Sequence, residues 1–275
     1  MFGLRIASAL RLSSGCGGVA FRTQRLFSTP VKVDTKLLSK LRKDTELSMS
    51  KCKEALVTAA NDYDKALEWL QERMQADGAA KSAKLEGRVA AEGVVGLGIS
   101  ADGLTGTVVE VNCETDFVSK NQEFRELVQT AATQYAMNTQ APLESLDMGD
   151  GQTLQTRIDA LVGKLGERIT ARRASVVTAP QDTGVLAGYV HGSKDQCGKI
   201  VTMVTLNSEP GSAEVVRPIA RQIASHVAGM RPQSVAELLS QDYLFNPDVT
   251  VSQFLVNLQT EKSLLQPITV NSIER

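Results

Sequence analysis

A chain of 275 residues, 42% of them hydrophobic, can bury one or two real cores, and its composition is globular rather than disordered. Its 30 basic and 31 acidic side chains nearly cancel, which argues against a nucleic-acid binder that works by bulk charge. No apolar run approaches the ~18 residues needed to span a bilayer, so neither direct nucleic-acid contact nor membrane contact is expected.

The first 27 residues stand apart. They carry Arg5, Arg11, Arg22 and Arg25, four serines or threonines and no acid, and the first acid of the chain is Asp34. An Arg-rich, Ser-containing, acid-free start is the composition of a mitochondrial transit peptide. The stretch Arg25-Leu26-Phe27-Ser28 resembles a matrix-protease site cut before Ser28. Residues 1–27 are therefore expected to be a transit peptide and the mitochondrial matrix the destination. Its loss removes four positive charges and leaves 26 basic against 31 acidic residues, a net charge of −5.

Residues 33–76 read as a three-helix module. Leu37, Leu38 and Leu41 share one helical face, and Met49, Cys52, Leu56 and Ala59 follow after a break near Thr45–Ser48. Asn61-Asp62 can cap a third helix bearing Ala66, Leu67, Trp69, Leu70 and Met74. Residues 77–92, rich in Ala, Gly, Lys and Arg, read as a linker with some helical character.

Two halves follow, and at an offset of 92 residues they align without a gap. Gly96 then meets Gly188, Gly106 meets Gly198, Val108 meets Ile200, Val109 meets Val201 and Val111 meets Met203. Further on, Phe124 meets Val216, Leu127 meets Ile219, Ala131 meets Ile223 and Tyr135 meets Val227. Each half shows two apolar runs around a Gly-containing turn and then an amphipathic helix. The expected elements are strands 93–99 and 105–112 with helix 121–138, and strands 185–191 and 199–206 with helix 213–228. The expected fold class is α+β, with a core of two repeated β-β-α subdomains at 93–146 and 174–240. A connecting helix within 147–173 carries Leu154, Ile158, Leu161, Val162, Leu165 and Ile169 on one stripe. Residues 241–275 form a tail in which Val251, Phe254, Leu255 and Leu258 mark a last helix.

The connection from strand to helix separates the halves. The first reads Cys113-Glu114-Thr115-Asp116-Phe117-Val118-Ser119-Lys120-Asn121, and the second reads Thr205-Leu206-Asn207-Ser208-Glu209-Pro210-Gly211-Ser212-Ala213. Only the first sets a bulky aromatic beside a carboxylate. On residue type alone Phe117 is either a plug under the loop or a contact residue.

Catalytic chemistry finds little support. Glu114 and Asp116 stand two apart in a connection with no further catalytic group nearby. Gly93-Val94-Val95-Gly96-Leu97-Gly98 is neither a P-loop nor a dinucleotide fingerprint, and backbone geometry shared by Gly96 and Gly188 explains it better. Arg172-Arg173 reads as a solvated or ion-paired helix end. Cys16, Cys52, Cys113 and Cys197 form no C-x-x-C pair and are too scattered for a disulfide framework, so reduced, mostly buried thiols are expected. His191 and His226 have no metal or nucleophile partner in view and read as structural. No cofactor, no metal and no enzymatic activity are expected.

The thirteen residues Val109 to Asn121, followed by Phe124, resemble the signature of the elongation factor Ts family, the exchange factors for EF-Tu. Leu41-Arg42-Lys43 with Thr45, Cys52-Lys53-Glu54-Ala55-Leu56 and Trp69-Leu70 resemble the N-terminal module of that family, which is ubiquitin-associated-like in fold. Ala90-Ala91-Glu92-Gly93, Gly163-Lys164-Leu165-Gly166-Glu167 with Arg172-Arg173, Tyr189-Val190-His191-Gly192 and Val227 to Pro232 resemble later family segments. The chain departs from the family at Glu46-Leu47-Ser48, where a glycine-containing turn is usual, and at Arg168, where asparagine is common. The space between Tyr135 and Gly184 cannot hold the long helical hairpin of bacterial members, a reduction it shares with mitochondrial ones.

The resemblance implies a non-enzymatic guanine nucleotide exchange factor that binds mitochondrial EF-Tu, GDP-bound and nucleotide-free, and promotes GDP release during translation elongation. It implies contact through Thr115, Asp116, Phe117, Val118, Lys120 and Asn121, with Asp116 and Phe117 disturbing the Mg²⁺ and GDP site. It extends the contact surface to Arg42, Lys43, Thr45, Met49, Cys52 and His191. The rival reading is an interaction protein whose N-terminal module binds a different partner, such as a ubiquitin-like fold or a nascent chain.

Overall fold

A computed structural model describes residues 32–193 and 195–275. The expected transit peptide at 1–27 and Cys16 lie outside the described residues. The chain is α+β: a three-helix module stands first, and a core of stacked sheets and helices follows.

Helices α1 (Thr35–Thr45), α2 (Met49–Thr58) and α3 (Tyr63–Leu85) each begin at a polar cap. The side chains of Asp34, Ser48 and Asp62 accept from backbone N–H groups of the first turn, satisfying donors that have no partner within the helix. Leu41, Cys52, Ala55, Leu56, Ala66 and Leu70 form the buried centre, with Trp69 only partly buried at its edge. So small a core is marginal alone. It gains support because α3 does not stop at residue 76 but runs through most of the expected linker. There α3 lies against α6 (Leu154–Leu165) at a crossing of small residues: a Cβ on Gly78 would sit 2.0 Å from the Asp159 carbonyl oxygen, and one on Gly163 would sit 3.4 Å from the Gly78 Cα. Ser82 Oγ and Gln155 Nε2 both donate to Asp159 Oδ1 at the same crossing, at 2.7 and 2.8 Å.

The first sheet has strand order β3 (Ile169–Thr178), β2 (Thr105–Cys113), β1 (Glu92–Ile99), β5 (Cys197–Gly198), all antiparallel. The second has order β4 (Gly184–Val190), β6 (Val201–Asn207), β9 (Thr269–Glu274). Helix α5 (Gln122–Met137) covers the first sheet, and α7 (Ala213–Met230) and α9 (Val251–Glu261) share a core with the second. The remaining faces of the two sheets meet through Leu97, Val190, Val201 and Met203. Helix α8 (Val235–Ser240) and the short hairpin β7 (Asp242–Tyr243) and β8 (Asn246–Thr250) close the far end.

Several expectations need correction. The ungapped 92-residue register does not hold in the strands: Val108 lies in β2, but Ile200 lies outside any strand, just before β6. Val109 faces the α5 core, whereas Val201 faces the other sheet. Two hydrogen bonds give the true correspondence. Thr107 Oγ1 donates to the Ala132 carbonyl and Thr202 Oγ1 to the Ala224 carbonyl, both at 2.7 Å, across 25 and 22 residues. Thr107 pairs with Gly98, and Thr202 with Tyr189. The second hairpin is thus four residues longer between these positions and its strand-to-helix connection three residues shorter, and the two changes nearly cancel in sequence. Gly96 and Gly188 are not equivalent either. A Cβ on Gly96 would strike the Val128 carbonyl oxygen on α5 at 2.8 Å, while one on Gly188 would strike Leu97 of the opposite sheet at 2.5 Å.

Ile169 is not on the connecting helix. Gly166 ends α6 at φ 83, and Ile169 opens β3. Arg172 and Arg173 are therefore strand residues, ion-paired to Glu110 at 3.1 and 2.7 Å, with Arg172 the extra residue of a bulge. The last residues of the tail form β9 on the edge of the second sheet. His226 is buried on α7, where Leu244 N–H donates to Nδ1 (3.1 Å) and Nε2 donates to Gln241 Oε1 (3.0 Å), tying the β7–β8 end to α7.

Two outcomes are expected. Gly78→Ala forces α3 away from α6 and lowers unfolding stability by ~2 kcal/mol or more, read from the urea midpoint; an unchanged midpoint would show that the crossing is loose. Burial holds the His226 pKa below its ordinary 6.5, with the Gln241 bond opposing only in part. The unfolded chain therefore binds a proton here first, and stability falls as pH drops below about 6.5. Urea titrations between pH 8 and 5.5 should show that slope reduced in His226→Gln.

Candidate contact site on the first strand-to-helix connection

The site grows out of the end of β2. Cys113 is fully buried, its thiol donates to the Thr115 carbonyl at 3.2 Å, and burial pushes its pKa up to about 11, so it is a packing group and not a nucleophile. Asn112 Nδ2 donates to the Glu92 carbonyl at 3.1 Å and ties the strand end to β1. The chain then turns, with Thr115 as N-cap, into the single-turn helix α4 (Asp116–Lys120). Asn121 ends α4 and caps α5, its Oδ1 accepting from Phe124 N–H at 3.1 Å. Phe124 is fully buried beneath this joint.

Along α4, Val118 and Ser119 turn inward and are buried, while Asp116, Phe117 and Lys120 turn outward. Phe117 is 81% exposed, which overturns the plug reading; Val118 fills that role. Lys120 Nζ pairs with Asp116 Oδ2 at 2.6 Å one turn apart, and that bond holds the Asp116 carboxyl below its ordinary range. Both groups are exposed, so the pair adds little to stability. It keeps a carboxylate charged beside an uncovered aromatic.

The connection is fastened from below by the turn after α6. Glu167 Oε2 accepts from Thr115 N–H at 3.1 Å, and Glu167 Oε1 accepts from Thr115 Oγ1 at 2.8 Å. In return, Glu114 Oε1 accepts from Arg168 N–H at 2.6 Å, and Arg88 pairs with Glu114 Oε2 at 3.3 Å. Glu114 is therefore a structural carboxylate and not one half of an acid/base pair.

The candidates outside this connection divide. Arg42, Lys43 and Met49 are exposed around the α1–α2 turn, where Glu46 takes φ 54, the left-handed conformation that glycine supplies more cheaply. Thr45 is half-buried and donates to the Leu41 carbonyl at 2.7 Å. Cys52 is fully buried in the module core, so its thiol is no surface contact. His191 is exposed at the end of the second hairpin, its Nδ1 3.2 Å from the Tyr189 hydroxyl.

Residues with no role assigned from sequence draw these pieces toward the start of α5. Lys164 Nζ reaches Glu46 at 3.2 Å and also pairs with Glu123, placing the α1–α2 turn beside the first turn of α5. In the same turn, Arg125 Nε donates to Asp195 Oδ2 (2.7 Å), and the two hydrogens of its Nη2 are shared among Asp195 Oδ1 (2.5 Å), the Cys197 carbonyl (2.6 Å) and Ser193 Oγ (2.9 Å). That guanidinium depresses the Asp195 pKa and clamps the second hairpin to α5. In the sequence, Arg125 and Asp195 were two charges 70 residues apart with no motif linking them. Among the described residues, no three His, Cys, Asp or Glu side chains are grouped to hold a metal ion.

These features define a contact protein, a packed scaffold presenting an uncovered aromatic beside a carboxylate. A family profile described as "Elongation factor TS" matches residues 114–238, and one described as "Elongation factor Ts, mitochondrial, N-terminal" matches residues 23–80. Similar proteins include "Elongation factor Ts, mitochondrial" of Xenopus laevis, 34% identical over 86% of this chain and 88% of that protein, and that of Nematostella vectensis, 33% identical over 86% and 97%. "Elongation factor Ts" of the bacterium Beijerinckia indica is 38% identical over 74% of this chain and 64% of its own length. The chain belongs to the elongation factor Ts family, the non-catalytic nucleotide-exchange partners of the translational GTPase EF-Tu.

Proposed function

We propose that the chain releases GDP from the EF-Tu of mitochondria by binding its nucleotide-free form more tightly than its GDP form. Linkage then requires that it weaken GDP binding by the same factor. The observation that carries this reading is Phe117, a large aromatic left 81% exposed on a helix fixed at both ends. Burying such a ring in a partner is worth ~1.5–3 kcal/mol, and a ring already held in place loses little entropy on binding. Inserted between helices of the GTPase, Phe117 would spread them, and the Asp116 carboxylate would disturb the groups that hold Mg²⁺ and the phosphate loop. Thr115, Val118, Lys120 and Asn121 shape the inserted turn. Arg42, Lys43 and Met49 on the N-terminal module, read as ubiquitin-associated-like, grip the nucleotide domain. His191 and the second half grip another domain. The two hairpin-plus-helix units are read as copies of one β-β-α subdomain, of which only the first gained α4.

The mitochondrial setting rests on the four arginines and absent acids of residues 1–27 and on the naming of the Xenopus laevis and Nematostella vectensis relatives.

Phe117→Ala should lose roughly 30- to 1000-fold in affinity for nucleotide-free EF-Tu, the ~2–4 kcal/mol of an interface anchor. Its acceleration of fluorescent-GDP release in stopped flow should fall in step. Its melting temperature should stay put, because the ring is exposed. A folded Phe117→Ala protein with full exchange activity would mean that the anchor lies elsewhere. For location, a chain that begins at Ser28 should stay outside isolated mitochondria that import the full chain; efficient import of the shortened form would refute the transit peptide.

A further inference from the structure

We infer that Glu167, in the turn after α6 that fastens the connection, is a positioning residue for exchange: its carboxylate sets the angle at which α4 presents Asp116 and Phe117. The inference rests on the reading in which those two residues enter the partner.

Helix α4 has five residues, too few to be stable by its own hydrogen bonds. Its orientation must come from its attachments. Val118 enters the core from the middle, and Asn121 fixes the far end to α5. At the near end, Glu167 takes both donors of Thr115, the backbone N–H at 3.1 Å and the hydroxyl at 2.8 Å. A carboxylate that accepts two hydrogen bonds from one residue fixes direction as well as distance. Because the hydroxyl proton of Thr115 goes to Glu167, a lone pair of the same oxygen is left facing Val118 N–H, 3.4 Å away, and the cap of α4 is set. Glu167 is itself placed by the left-handed Gly166 at the end of α6 and by the return bond from Arg168 N–H to Glu114 at 2.6 Å. The two carboxylates thus hold each other's turns.

The fold has no need of this fastening as such. In the second half, the chain passes from β6 to α7 with no intervening helix. Ser208 there is buried and its hydroxyl has no partner among the described residues, yet α7 packs as α5 does. Glu209 in that connection does accept from Leu265 and Gln266 N–H, at 2.6 and 3.3 Å, but it holds the tail; a carboxylate that takes both donors of a capping threonine stands, among the described residues, at α4.

The test uses the full chain and EF-Tu loaded with fluorescent GDP, with factor concentration varied to saturation. Glu167→Gln keeps size and one acceptor but sets an amide NH₂ against a Thr115 donor. It should lower the maximal GDP release rate per folded molecule about tenfold, with a smaller change in half-saturating concentration. Thr115→Val, which removes the hydroxyl and keeps the backbone bond, should lower the same maximal rate by less. In a Phe117→Ala background, Glu167→Gln should cost less than about twofold more, because residues that act as one unit are not additive. The melting temperature of every variant gives the folded fraction used for normalisation. A merely structural Glu167 would lower the melting temperature and leave exchange per folded molecule unchanged, or would cost as much with Phe117 absent as with it present; either result overturns the inference alone. Full exchange by Phe117→Ala would overturn the reading of the site, and the inference with it.

Discussion

The two sheets meet face to face where side chains are missing. Gly106 leaves room for Met203 and Leu186, and Gly188 leaves room for Leu97; a Cβ at either would lie within 2.9 Å of those atoms. A Cβ at either would have to push aside the ends of those side chains, so the glycines let the sheets approach with the Leu and Met ends packed as they are. The close approach makes the halves one body, and everything at the site is built on that body. The second hairpin can cross to the first sheet and add Cys197–Gly198 to its edge because the sheets already lie against each other. Arg125 then holds that crossing to α5.

The start of α5 is where the parts converge. The module leans on it through Glu46 and Lys164, the second hairpin through Asp195 and Arg125, and α4 joins it at Asn121. An inserted residue transmits force only if its base does not yield. Here the base is a buried Phe124 under a capped joint, with ion pairs to either side. The exposed pair Asp116–Lys120 adds little to the fold and leaves its groups free for a partner.

Much of the architecture was legible because local signals were strong. Asn61-Asp62 announces the third helix of the module, the break near Thr45–Ser48 separates the first two, and the apolar runs around Gly98 and Gly188 lie in strands. Edge strands were harder. β3 contains an Arg-Arg pair and a bulge that break the two-residue alternation by which strands are read, and β9 is a short strand at the chain end. The repeat misled in its strands for a plain reason: four residues gained in one loop and three lost in the next nearly restore the offset, so the helices align while the strands present opposite faces.

By itself the sequence determined the helices of the module, the globular α+β class and the family signature from Val109 to Asn121, because these rest on residue types at short spacing. It did not determine which of two adjacent residues, Phe117 or Val118, is buried. Hydrophobicity favours burying both, and a single helical turn has no periodicity from which to choose. Tertiary structure decided it: Glu167, 52 residues from Thr115, and Asn121 hold the two ends of α4 so that Val118 faces the core and Phe117 faces out. An orientation set by hydrogen bonds between distant turns leaves no mark in the local pattern.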